Sequence, residues 1–215
     1  MFEQPPLPGF EPQKPKAPTD GRQPDVKHAI FFAVFLENDA AARAHALAQA
    51  LCREHRLMGR PIAAKRLHVS LVGFGEFPRV PHRLVRLVSD VASTVAIPAF
   101  DVSLDRVVTF GKAGSNVTAK RPTVLTCGEG KAELTNLRKS LSTVLADIGL
   151  FRSRTSAFVP HVTLLYDQSI VAERPVDPIR WTVREFRLVD SLRGRTLHVP
   201  LGRWRLGHGS FDHPG

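Results

Sequence analysis

Residues 66–75 read RLHVSLVGFG, and residues 158–167 read FVPHVTLLYD. Inside them lie His68-Val69-Ser70-Leu71 and His161-Val162-Thr163-Leu164, two copies of one pattern, H-V-[ST]-L. Short runs this rich in Val and Leu read as strands. On a strand, residues i and i+2 share a face. His68 therefore points with Ser70, and His161 with Thr163. Leu67, Val69 and Leu71 take the opposite face, as do Val162 and Leu164 in the second copy. Each copy thus offers an apolar side to a core and an imidazole–hydroxyl pair to a cleft. The same parity puts Phe74 on the face of His68, where it can pack as part of the cleft wall or stack on a base. It also sends Tyr166 to the core side.

Working outward, AIFFAVFL (29–36) is a buried strand, and an Ala-rich helix capped near Asn38 or Asp39 follows to about residue 56. After the first motif comes a helix behind Pro81, with Leu84, Leu87, Val88, Val91 and Val95 on one face. AFDVSLDRVVTFG (99–111) and TVLTCG (123–128) read as a hairpin around a basic, glycine-containing loop. A third helix is predicted over 131–148, ending at Gly149. Beyond the second motif, 168–178 reads as a loop, IRWTVREFRLVDSL (179–192) as one strand and TLHVPLGRWRL (196–206) as the last. Each motif follows a strand and a helix, so the pattern repeats across two halves. The expected fold is α+β and bilobal: two pseudo-symmetric lobes of mainly antiparallel sheet, helices packed outside, and a central cleft. The expected organisation is a disordered Pro-rich arm over 1–27, one domain over 28–206 and a frayed tail over 207–215.

The 215 residues carry a net charge of +10. Residues 1–27 hold four acids and four bases, so the excess belongs to the folded part, where a binding surface can use it. That favours anionic partners such as nucleic acid or nucleotides. No apolar run reaches the length of a membrane span, and the N-terminus has no apolar core of a signal peptide. The expectation is a cytoplasmic monomer. Cys52 and Cys127 read as two reduced thiols, not as a disulfide or zinc framework.

Two imidazoles across a cleft can divide acid–base work near neutral pH, with the hydroxyls beside them donating to an anion held between. A phosphodiester suits that arrangement, because attacking and leaving oxygens lie on opposite sides of phosphorus. The motifs hold no carboxylate or thiolate, so the expectation is no metal and no cofactor. A third H-x-[ST], His208-Gly209-Ser210, lies in a glycine-rich tail without strand context. Arg152 and Arg154, in the loop entering the second motif, are candidate phosphate contacts, as are Lys65 and Arg66 before the first. His198 reads as a structural histidine.

Over about residues 28–206 the chain resembles the 2H phosphoesterase superfamily. Within that superfamily it is most similar to the bacterial 2′-5′ RNA ligase / RNA 2′,3′-cyclic phosphodiesterase group. The resemblance rests on FFAVFL, on RLHVSLVGFG with its Phe74-Gly75 ending, on FVPHVTLLY with Pro160 before the histidine, and on WTVREFRLVDS. It implies His68 as proton donor, His161 as proton acceptor, and Ser70 and Thr163 as phosphate ligands. The implied reaction is metal-independent opening of 2′,3′-cyclic phosphate ends of RNA or nucleotides to 2′-phosphates, with reversible 2′-5′ ligation as a companion activity. The alternatives are the same chemistry on a small nucleotide such as ADP-ribose cyclic phosphate, or a non-catalytic basic RNA-binding module. The sequence departs from the group where Tyr166-Asp167 stands in place of an Arg often found just after the second motif. It departs again where His198 replaces a Tyr often found on the last strand.

Overall fold

A computed structural model describes residues 27–111, 119–150 and 158–207. Most of the expected arm and tail, the tip of the basic hairpin loop, and Arg152 and Arg154 lie outside the described residues. The elements run β1 (His28–Phe35), α1 (Asn38–His55), a one-turn 3₁₀ helix (Ala64–Arg66), β2 (His68–Phe77) and α2 (His82–Ala92). They continue with β3 (Phe100–Thr109), β4 (Arg121–Cys127), α3 (Lys131–Asp147), β5 (His161–Asp167), β6 (Arg174–Val183), β7 (Glu185–Leu192) and β8 (Leu197–Arg205).

The strands form one sheet in the order β6-β3-β4-β5-β2-β1-β7-β8, with every pairing antiparallel. It divides into two four-stranded halves. The units β1-α1-β2 and β4-α3-β5 occupy equivalent places, and their motif strands β2 and β5 meet at the centre through a single aligned pair, Val69 and Val162. The helices cross over: α1 packs against β5 and β6, and α3 packs against β2. Each unit therefore covers the other's motif strand, which ties the halves together. α1 buries Ala40, Ala44, Ala48 and Leu51 at helical spacing, and the small side chains let it sit close to the sheet. α3 buries Leu134, Leu137, Leu141 and Leu145. It starts at Gly130, whose φ of +81° and contact with β3 suit a residue without a side chain: a Cβ there would collide with the Asp101 carbonyl.

Two expectations change. The predicted strand over 179–192 is two strands, and β6 starts at Arg174 inside the predicted loop. Only Arg184 separates β6, at one edge of the sheet, from β7 in the other half. One residue spans at most about 7–8 Å, so the sheet curls until these two strand ends meet. The Leu206 N–H closes the junction on the Arg184 carbonyl at 2.7 Å. Local sequence shows one β-rich run here; the long-range pairing divides it between the two lobes.

The second correction concerns parity. Along β2, Ser70 pairs with Ala33 and Val72 with Phe32, leaving Leu71 without a partner. Along β5, Thr163 pairs with Val124 and Leu165 with Thr123, leaving Leu164 without one. Each motif therefore ends in a β-bulge at the same position, its Leu. A bulge places two consecutive residues on one side and reverses the alternation beyond it. Leu71 and Val72 are both buried, as are Leu164 and Leu165. Phe74 consequently turns into the core, 3% exposed and edge-on to Phe32, and does not stand on the face of His68. Tyr166 goes the other way and is 50% exposed.

Candidate active site

The site is built from the first and third residues of each motif, before the bulges act. The antiparallel pair Val69–Val162 sets its register. Extending that register by one residue in each direction places His68 across from Thr163 and Ser70 across from His161. All four lie on the face opposite the buried Val69 and Val162. Each hydroxyl is thus the cross-strand neighbour of the other motif's histidine, and the two imidazoles sit on a diagonal. In a regular ladder the Cα atoms on such a diagonal are about 7–8 Å apart.

Both histidines are held alike. His68 Nδ1 donates to the carbonyl of Arg66 at 2.6 Å, and His161 Nδ1 donates to the carbonyl of Val159 at 2.8 Å. A carbonyl can only accept, so in each neutral ring Nδ1 carries the proton and Nε2 presents its lone pair. The acceptor is two residues upstream in both cases. The duplicated sequence has become a duplicated tautomer.

The surroundings are not duplicated. His68 stacks on Phe31 with ring centroids 5.1 Å apart and leans on Phe35 at 5.4 Å. His198 meets it edge-on at 5.1 Å. Burial in this aromatic nest lowers the His68 pKa to about 4. The charges of Arg66 and His161 push the same way, against the opposing pull of the Arg66 carbonyl. His198 is half-buried; desolvation, together with the charges of His68, Arg66 and Arg193, lowers its pKa to about 3. His161 has Phe110 edge-on at 5.0 Å. Ser70 is exposed and Thr163 half-buried. Among the described residues, no group of three His, Cys, Asp or Glu side chains comes together to hold a metal ion.

The structure brings His68, His161, Ser70 and Thr163 to one face and removes Phe74 from it. It places the sequence candidate Arg66 beside His68 and adds Phe31, Phe35 and His198 around that ring. Phe31 and Phe35 alternate along β1 with the core residues Phe32 and Val34, a signal hidden by the unbroken apolar run. His198 could be placed only by the β7–β8 register, which lies beyond local pattern. The Asp167 carboxylate, behind Tyr166, is structural. Burial would raise its pKa, but the N–H groups of Ser169 and Gly59 donate to it and hold it below the usual value, pinning the loop after α1 onto β5.

Two opposed imidazoles of fixed tautomer, each with a hydroxyl across from it on a two-lobed antiparallel sheet, define a phosphoesterase of the two-histidine class. The sequence model of the 2′-5′ RNA ligase superfamily matches residues 38–195, and the chain belongs to that family. It is 33% identical over 160 residues to the RNA 2′,3′-cyclic phosphodiesterase of Escherichia coli K12, an alignment covering 69% of this chain and 80% of that protein. The crystal structure of E. coli LigT complexed with 3′-AMP superposes with a TM-score of 0.63 at 29% identity, over 85% of this chain and 99% of the other. The TT0787 protein of Thermus thermophilus shares the fold at a TM-score of 0.65 and 22% identity, over 85% of this chain and all of that one. No described helix is long and apolar enough to cross a membrane.

Proposed function

We propose that the chain hydrolyses 2′,3′-cyclic phosphate ends of RNA or nucleotides to 2′-phosphates. His161 is the proton acceptor, His68 the proton donor, and Ser70 and Thr163 hold the phosphate. The observation that carries this reading is the mirrored pair of histidines, each with Nδ1 tied to the carbonyl two residues back and Nε2 left for chemistry. The activity named for the E. coli relative supports the choice of substrate, as does the basic body of the chain.

In the proposed step, His161 Nε2 takes a proton from water as its oxygen attacks phosphorus. The P–O3′ bond opposite breaks, and His68 gives its proton to the departing 3′ oxygen. The products are a 2′-phosphomonoester and a 3′-hydroxyl, and the proton on His161 returns to His68 through solvent. A 5′-hydroxyl in place of water gives the 2′-5′ joined product by the same transfers.

With its pKa near 4, His68 is neutral at pH 7 in the free protein. The donor role therefore requires protonation to accompany the phosphate, whose negative charge between the rings stabilises the imidazolium. The test is a hydrolysis assay on an RNA ending in a 2′,3′-cyclic phosphate and on a cyclic mononucleotide, side by side. His68→Ala and His161→Ala should each lower kcat by roughly 10²–10⁴. The double variant should lose much less than the product of the two, since the residues act as a unit. Near-full turnover in either single variant would make that histidine structural.

A further inference from the structure

The proposed hydrolysis leaves a cationic group beside His68 unused. Arg66 ends the 3₁₀ turn that enters β2, and Nη2 of its side chain approaches Nε2 of His198 on β8 at 3.5 Å. The His198 ring stands edge-on to His68, Phe31 and Phe35. Nε of Arg66 and Nδ1 of His198 are both buried, and neither has a hydrogen-bond partner. Among the described residues, no carboxylate forms an ion pair with Arg66. Arg193, on the turn between β7 and β8, adds positive charge that Arg66 and His198 both feel, while Glu76 holds its own Nε at 2.9 Å.

Buried polar atoms are nearly always paired, and a partly desolvated guanidinium without a counter-charge favours an anion beside it. The half-buried guanidinium of Arg66, with no carboxylate on it and the His198 ring against it, makes a place suited to an anion. The reacting group lies between β2 and β5, whereas β1, β7 and β8 lie on the other side of β2. The next anion along an RNA end is the 5′-phosphoryl group of its last nucleotide, one ribose away from the cyclic phosphate.

We propose that Arg66 and His198 form a second anion subsite that takes the 5′-phosphoryl group of the terminal nucleotide. The chain then prefers ends that carry this group over nucleosides that lack it. This rests on the active-site reading above, with the cyclic phosphate between His68 and His161.

Calorimetry with product forms tests the subsite without requiring turnover. The ligands are adenosine 2′-monophosphate, adenosine 2′,5′-bisphosphate, and the dinucleotide ApA bearing a 2′-terminal phosphate. The wild-type protein should bind at least one of the last two about tenfold more tightly than the first, the gain expected of a charge-assisted hydrogen bond. A preference for the dinucleotide marks an RNA end as the source of the anion; a preference for the bisphosphate alone marks a free nucleotide. In Arg66→Gln the ratio should fall to about one, and Arg66→Lys should keep part of it. A ratio of one in the wild type, or a ratio that survives Arg66→Gln in a folded protein, overturns the subsite. If the ratio behaves as expected but cyclic phosphates are not hydrolysed, the proposed reaction falls and the subsite stands.

Discussion

His68 and His161 share a motif position, a hydrogen bond and a tautomer, yet they differ in what surrounds them. Phe31, Phe35 and His198 strip water from the His68 ring, and its pKa falls to about 4. This has a cost in acid. In the unfolded chain His68 and His198 titrate near 6.5, whereas in the folded protein they resist protonation down to about 4 and 3. Between those values the unfolded state binds more protons, so stability is full above pH 6.5 and is lost as pH falls toward 4. For His68 the effect is on the order of 3 kcal/mol. Asp167, held below the usual carboxylate value, acts only at lower pH and leaves this window clear. Thermal unfolding followed from pH 7 to pH 4 should show a falling midpoint in the wild type. The fall should be shallower once His68 and His198 are both replaced by Asn. A midpoint indifferent to pH across this window would mean that neither ring is desolvated as described.

At the scale of the element, the motif is a strand and its fourth residue is a bulge. Alternation assigns the faces of His68, Ser70, His161 and Thr163 correctly, because all four precede Leu71 and Leu164. It fails for Phe74 and Tyr166, because both follow them. A bulge is set by pairing with a neighbouring strand, and nothing in H-V-[ST]-L-V or H-V-[ST]-L-L announces it. The helices α1 and α3 were legible from their periodic Ala and Leu positions, whereas α2 ends at Ala92, short of Val95, and leaves Leu87 exposed; the division of 179–192 at Arg184 was not legible, for the same non-local reason. The bulge gives a prediction in opposite directions for two aromatics. Phe74→Ala should cost about 3–5 kcal/mol as a core truncation, with KM unchanged when measured well below the unfolding transition. Tyr166→Ala, at an exposed site, should stay within about 0.5 kcal/mol of wild type in denaturant unfolding. A Phe74 variant of normal stability with a raised KM would restore the face that simple parity assigned it.

The whole molecule explains why the motifs had to be duplicated. Two β-α-β units contribute one central strand each, the crossed helices lock each unit onto the other's strand, and the curl at Arg184 joins the outer ends. Each half carries one of the two histidines, so the proposed chemistry belongs to their junction. The two-lobed plan, the motif strands and their histidines were all readable from sequence. The aromatic nest and the Arg66–His198 pair were not, because they assemble from β1, β2 and β8, far apart in the chain. The central claim is that the paired histidines open a cyclic phosphate between them without the help of a metal. Its most direct test is ³¹P NMR of an RNA ending in a 2′,3′-cyclic phosphate, incubated with the purified protein in EDTA. The account predicts conversion of the cyclic signal to a 2′-phosphomonoester at the same rate with and without chelator. A 3′-phosphomonoester, an unchanged cyclic signal, or turnover that stops with EDTA and returns with a divalent ion would contradict it.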